Sequence, residues 1–201
     1  PPLRRETTTR LSAHEIHEIG LREVDRIRAQ MLSVIDETDW ADKGKYTGDE
    51  KFARFVEYLR TDPRFYFTDE TSLLNGYRVL CKQIDPELPR LFGLLPRLTY
   101  GVRPIPRFAA PSSPAAYCYP GSIRSGIPGY FMVNTYDPAQ RPRYGMWSLT
   151  LHESVPGHHF QISIADELEG QHPFRTLLGY TAFVEGWALY AERLGLEMGD
   201  S

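Results

Sequence analysis

Apolar side chains recur at helical spacing near the start of the chain. From Ser12 onward they fall three to five residues apart and define one side of a helix: Ile16, Ile19, Val24, Ile27, Met31 and Ile35. Ser12 and Glu15 have the spacing of a capping box, in which each side chain bonds the other residue's backbone N–H. The pattern therefore predicts a long helix that begins after Ser12.

Two further helices are predicted in the first half of the chain. The first follows Thr47 and ends before Pro63, with an apolar side formed by Phe52, Phe55, Val56 and Leu59. The second begins at about Asp69 or Ser72 and ends at Ile84, where an Asp-Pro pair follows. This half of the chain is therefore expected to be helical.

The second half of the chain is predicted to contain a loop, then a strand, then two helices. Prolines and glycines are dense between 104 and 128, which is typical of a loop and leaves room only for short strands. Residues 129–135 have the tyrosine, phenylalanine and valine order of a strand. Helices are predicted from about Tyr144 to Leu168 and from Phe174 to Met198. The fold class is therefore mainly α with a small β element.

Composition narrows the class of protein. The 201 residues suffice for one domain with its own core. A hydrophobic fraction of 41% and a charged fraction of 24% are ordinary for a globular protein. The net charge of −3 gives no reason to expect nucleic acid as a partner. No apolar run approaches the roughly 18 residues that span a bilayer, so no membrane span is predicted.

The most informative segment begins at His152 and Glu153. It opens like the zinc-protease helix signature, in which a second histidine follows four residues after the first. Pro156 occupies that position here, and the next histidines are His158 and His159. Six or seven residues of regular helix rise roughly 9–10.5 Å. Two imidazoles so far apart cannot share one ion at about 2.0–2.1 Å each.

The Pro-Gly pair that follows changes this geometry. Pro156 has no N–H for the carbonyl of His152 and would clash with it, and Gly157 tolerates unusual dihedral angles. A bulge here would bring His158 back towards His152, and such bulges are frequent at functional sites. His158 is therefore the first candidate for a second ligand, and His159 is the alternative if the helix straightens.

A third ligand is predicted downstream. Glu185 and Glu192 lie seven residues apart in an apolar helical run, and so share one side of the helix. A carboxylate in such a run is costly to bury unless it is paired or metal-bound. Two histidines, a glutamate and a water form a known catalytic zinc set, which makes Glu185 the natural third ligand. Glu192 is either a carboxylate holding a ligand imidazole or a solvated residue.

These runs carry a resemblance. His-Glu-x-x-Pro-Gly-His at 152–158 and Phe-Val-Glu-Gly-Trp-Ala-Leu-Tyr-Ala-Glu at 183–192 resemble the bacterial family known as domain of unknown function 885, DUF885. Segments 110–117 and 128–135 resemble it too. The family is grouped with gluzincin-type zinc metallopeptidases, which implies a mostly helical zincin-like fold and peptide-bond hydrolysis. Many members are longer and carry export signals, which implies a partial fragment containing the metal half and favours a bacterial envelope or exported protein.

The expected chemistry follows from these residues. One zinc ion per chain would be held by His152, His158 and Glu185, with Glu153 as the general base. Five side chains are candidates to donate a hydrogen bond to the developing oxyanion: Tyr117, Tyr119, Tyr180, Tyr190 and His159. Tyr117 is preferred because it lies in a segment that resembles the family.

The expected substrate is a peptide or a small amide. In zinc peptidases an edge strand commonly runs beside the metal helix and takes the substrate as an added strand. We expect Tyr130 to Asn134 to be that strand, with Tyr130 and Asn134 contacting substrate; a plain packing strand is the alternative. The chain is expected to form one domain, with helices over 1–100, a loop and edge strand over 101–143, and metal-binding helices over 144–201.

Three alternatives remain open at this point. In the first alternative, the chain is a non-catalytic relative that binds peptides or proteins. In the second, it is a helical domain whose histidines only pack. Imidazole and carboxylate also suit iron, cobalt or manganese. Cleavage is of the carboxypeptidase or the oligopeptidase type, and Arg103, Arg107 and Arg124 are candidates to bind a substrate's C-terminus. The sequence indicates no oligomeric state.

Overall fold

The computed structural model describes residues 2–172, 174–175 and 179–199. The chain divides into two compact units, Pro1–Phe65 and Tyr66–Ser201, where the sequence patterning led us to expect one domain. Both units are rich in helix, and a small sheet lies in the second, so the mainly α class is confirmed. No helix in the described ranges is long and apolar enough to cross a membrane, as the sequence predicts.

The first unit contains α1 (Pro2–Thr7), α2 (Ala13–Glu37) and α3 (Gly48–Thr61). The predicted capping box starts α2: the Glu15 N–H donates to Ser12 Oγ at 3.2 Å, and the Ser12 N–H donates to Glu15 Oε2 at 2.7 Å. The connection from α2 to α3 packs Trp40 against the rings of Phe55 and Tyr58. Local capping and aromatic packing thus account for this unit.

The α-helices of the second unit whose bounds fall within the described residues are α4 (Glu70–Ile84), α5 (Leu88–Leu91), α6 (Met146–Glu153), α7 (His158–Glu167) and α8 (Thr181–Met198). Asp69 caps α4 by accepting the Ser72 N–H at 2.8 Å. The predicted helix 174–198 falls partly outside the described residues, and its described helix begins at Thr181.

Three strands form the sheet of this unit: β1 (Tyr100–Pro104), β2 (Ala116–Tyr119) and β3 (Gly129–Val133). Their order is β1-β3-β2, with β3 parallel to β1 and antiparallel to β2. The strand predicted at the edge, Tyr130 to Asn134, is therefore central. That prediction was wrong because both sides of β3 are already paired, which leaves β1 and β2 as the edges.

The core lies between one face of this sheet and the helices. Phe131 and Val133 of β3 and Ala116 of β2 face Tyr77 of α4 and Met146 of α6. A second cluster joins the ends of α4, α6, α7 and α8 through Ile84, Leu151, Phe160 and Met198. This packing places α6 beside β2, which is one of the two edge strands of the sheet.

Candidate metal centre

The predicted metal helix is two helices with a sharp turn between them. We expected one distorted helix over 144–168, but α6 ends at Glu153 and α7 begins at His158. A Cβ atom on Gly157 would lie 1.9 Å from the carbonyl oxygen of His152, so only glycine permits this close approach. The predicted distortion at the Pro-Gly pair is confirmed, and it is larger than a bulge.

The turn brings the two nearer histidines together with a glutamate. His152 Nε2 and His158 Nε2 lie 3.5 and 3.7 Å from Glu185 Oε2, and the two imidazole centroids are 4.7 Å apart. The three ligand atoms all lie within 4.8 Å of one another. Donors about 2.0–2.1 Å from a tetrahedral ion stand roughly 3.3–3.4 Å apart, so this set fits a zinc ion after a small contraction.

The electrostatics of the cluster also fit a cation. Burial lowers the pKa of His158, and the charge on His152 lowers it further, so His158 favours the neutral form that binds metals. Glu185 keeps about half of its side chain exposed and supplies a negative charge. Two imidazoles and a carboxylate are donors that Zn²⁺ accepts. Across the described ranges, this is the one His/Cys/Asp/Glu group that meets the spacing for a metal.

The outer nitrogen of His152 is held by a carboxylate. His152 Nδ1 lies 2.8 Å from Glu192 Oε1, and the Ser148 hydroxyl donates to Glu192 Oε2. A carboxylate at Nδ1 favours the tautomer that leaves the Nε2 lone pair free for a metal. Glu192 therefore lies where a carboxylate that holds a ligand imidazole would lie, and not where a residue bonded only to solvent would lie. Sequence reasoning missed Ser148, although it precedes His152 by one helical turn on the same side of α6.

Glu153 is buried at the end of α6, next to the open edge of β2. Burial raises its pKa, while the charge of His152 and a hydrogen bond from the Cys118 backbone N–H partly oppose that rise. The Asn134 N–H bonds the Ala115 carbonyl, so alternation along the ladder directs the Cys118 N–H away from β3. Glu153 thus has an elevated proton affinity. Cys118 carried no sequence signal for this role, and both cysteines, 81 and 118, are free.

His159 is directed away from the cluster. Its side chain is buried, with Nε2 3.0 Å from the Leu98 carbonyl oxygen and the ring 4.9 Å from that of Tyr100. Gly129 makes room for the ring, since a Cβ there would lie 2.4 Å from His159 Nδ1. The alternative ligand set with His159 therefore does not match this arrangement.

The two residues predicted to bind substrate, Asn134 and Tyr130, each contact other residues of the protein. Asn134 is 1% exposed, and its amide donates to the carbonyls of Ala110 and Ser113 at 2.7 and 3.1 Å. It organises the loop before β3 and is closed to a substrate, so that prediction was wrong. Tyr130 lies under the Arg103 guanidinium, 3.9 Å from its ring centroid. Arg103 belongs to β1, the edge strand on the other side of β3 from β2.

Tyr117 is not among the residues that gather at the cluster. Alternation along β2 places its side chain on the sheet face opposite Ala116 and Cys118. Ala116 lies in the core with α4 and α6, so Tyr117 faces away from the helix that carries His152. The preferred oxyanion donor of the sequence analysis therefore has no described contact with the centre.

Comparison with known proteins shows the family to which the chain belongs. No curated protein matches the sequence. The crystal structure of a protein from Colwellia psychrerythraea, provisionally described as a lipoprotein, superposes with a TM-score of 0.87 at 27% identity and covers 98% of this chain. The match covers 33% of that protein, so this chain spans about a third of its length. The profile described as "Bacterial protein of unknown function (DUF885)" matches residues 2–200, and the chain belongs to that family.

Proposed function

We propose that this protein is a zinc-dependent hydrolase of peptide bonds, a metallopeptidase of the gluzincin type. The observation that carries the proposal is the convergence of His152, His158 and Glu185 within 4.8 Å, with Glu153 next to the first ligand. The fit of the donor set, the orientation of His152 by Glu192 and the raised pKa of Glu153 support it. Each is a property that hydrolysis at a metal requires.

Zinc held by His152, His158 and Glu185 would supply Lewis acidity, activating a water molecule and polarising the scissile carbonyl. The remaining work belongs to the side chains of the protein. Glu153 takes a proton from the attacking water and returns it to the leaving nitrogen. Its raised pKa suits this exchange, because a general base works best when its pKa is near the working pH.

β2 is the edge strand next to Glu153. Its unpaired edge therefore replaces β3 as the expected binding position of an extended substrate. The Cys118 N–H donates a hydrogen bond to Glu153. The main-chain N–H and carbonyl of Ala116 point outward from the same edge of β2. A peptide added beside β2 would place its backbone near the proton acceptor. The resemblance to a protein described as a lipoprotein supports a place in the bacterial envelope or outside the cell.

Replacement of Glu153 by Gln tests the catalytic part of this proposal. The variant keeps the shape of the side chain and all three proposed ligands, His152, His158 and Glu185, so zinc content should stay at the wild-type value. Hydrolysis of a quenched fluorescent peptide library should fall by about 100-fold or more, the size of a general-base contribution. Unchanged hydrolysis in the variant would exclude Glu153 as the base. A wild-type protein that binds peptides without cleaving them would instead favour a non-catalytic binding role.

A further inference from the structure

A groove of about 660 Å³ opens between α7 and α8, the helices that carry His158 and Glu185. Volumes of this size hold small-molecule or peptide ligands in other proteins. The α7 side is formed by Gln161, Ile162 and Ala165, and the α8 side by Phe183 and Val184. The groove is therefore too large for one aliphatic side chain and suits a short stretch of peptide.

The groove lies against the two helices that carry His158 and Glu185. Gln161 and Ile162 follow His158 by three and four residues, which puts them one turn along the same side of α7. Val184 directly precedes Glu185. Ala165 lies roughly 10 Å along the helix from His158, which corresponds to about three residues of extended chain. A ligand lying in the groove would thus have one end at the metal centre.

The groove also receives the end of β2. Gly121, two residues beyond that strand, lines it. The loop that follows β2 therefore forms part of the wall of the groove.

Large apolar side chains are concentrated around this groove. Four of them are between 43% and 61% exposed: Leu168, Phe174, Tyr180 and Phe183. Single exposed apolar residues are common on protein surfaces, whereas a contiguous group marks an interaction site. The ligand is therefore expected to be apolar where it meets these side chains.

One polar group in the groove lacks a partner. The Gln161 side chain is 8% exposed, and its Oε1 atom is buried without a hydrogen bond among the described residues. Buried carboxamides are normally bonded, since leaving one unpaired is costly. A carboxamide offers an acceptor and a donor, and rotation of the Gln161 carboxamide towards the groove would present both to a peptide group, which offers the same two.

We propose that this groove is the subsite for large apolar residues of a peptide ligand, next to the scissile bond, and that Gln161 bonds the main chain of that ligand. The proposal rests on the proposed function for the statement that the ligand is a substrate. Binding itself requires neither metal nor turnover, because the groove contains none of the three metal ligands.

The test uses blocked amino acids as probes, in the metal-free and the zinc-loaded protein. Dissociation constants of N-acetyl-phenylalaninamide and N-acetyl-alaninamide are measured by NMR titration. The phenylalanine probe should bind at least tenfold more tightly than the alanine probe. Ala165→Trp fills the groove and should weaken the phenylalanine probe at least tenfold, whereas Ala29→Trp, on the exposed side of α2, should leave it unchanged.

Gln161→Leu separates the polar contact from the apolar one. It should weaken N-acetyl-phenylalaninamide several-fold and leave propylbenzene, which has no amide, unaffected. Equal affinity for the two blocked amino acids, no effect of Ala165→Trp, or no binding of either probe would overturn the proposal. A protein that binds the probes as expected and hydrolyses no peptide would retain the subsite and lose the proposed catalytic function.

Discussion

The indole N–H of Trp187 donates a hydrogen bond to the carbonyl oxygen of Pro156 at 2.7 Å. Trp187 lies two residues after Glu185, and Pro156 lies two residues before His158. This bond therefore ties the helix that carries the third ligand to the turn that positions the second. The sequence motif at 152–158 does not include this contact, because Trp187 lies in a later helix.

Trp187→Phe is expected to weaken zinc binding by about tenfold, the low end of the range for residues that support metal ligands. The ring remains and the donor is lost, so the turn is free to move relative to Glu185. Competition with a chromogenic chelator measures the affinity. Trp147→Phe is the matched control, because the Trp147 Nε1 atom is buried and has no hydrogen-bond partner among residues 2–172, 174–175 and 179–199. Equal losses in both variants would show that ring packing, and not the bond, positions His158.

Glu192→Gln should lower zinc affinity by about 10- to 100-fold. The substitution removes the charge that fixes the His152 tautomer while keeping the side-chain volume. Ser148→Ala should lower the affinity less, since Ser148 acts only by orienting Glu192. Isothermal titration with zinc measures all three proteins, and Glu197→Gln, on the exposed side of α8, serves as the control. Wild-type affinity in Glu192→Gln would mean that His152 is held by packing alone.

Glu153→Gln should stabilise the metal-free protein at neutral pH. Burial raises the folded-state pKa of Glu153 above its unfolded value. The stability that its protonated form supplies is fully present below the unfolded pKa and is lost as pH rises through the folded pKa. The variant's unfolding temperature should therefore exceed the wild-type value more at pH 8 than at pH 4, as measured by calorimetry with chelator present. A difference that is constant with pH would contradict the raised pKa.

Gly157→Ala should abolish zinc binding and destabilise the fold by on the order of 2–4 kcal/mol. The added Cβ would meet the His152 carbonyl oxygen, so the turn between α6 and α7 must open. Gly145→Ala is the control, since nothing lies within 4 Å of a Cβ at that position. Chemical denaturation and metal analysis give both quantities. A Gly157→Ala protein with normal stability and zinc content would show that this close approach is not required.

The helix starts could be predicted because their causes are local. Ser12 with Glu15, and Asp69 with Ser72, are each settled within one turn of helix. The Pro156–Gly157 pair also predicted a distortion of the helix that carries His152. That turn is also bonded by Trp187, 31 residues away, and no local sequence pattern indicates such a contact.

Strand order was not readable for a similar reason. An alternating pattern of burial is the same for a central and an edge strand, and β1 lies in a stretch without a strong strand pattern. Asn134 looked like a polar group offered to a substrate, but it satisfies loop carbonyls that come together only in the folded chain. Long-range partners therefore account for what the sequence analysis missed.

The most direct test of the account is the number of zinc ions bound per chain, measured by elemental mass spectrometry after purification without chelator. We expect about one zinc in the wild type and in His159→Gln, which can still bond the Leu98 carbonyl, and none in His158→Ala. Wild-type protein supplied with zinc that binds none, or His158→Ala that retains it, would contradict a centre formed by His152, His158 and Glu185.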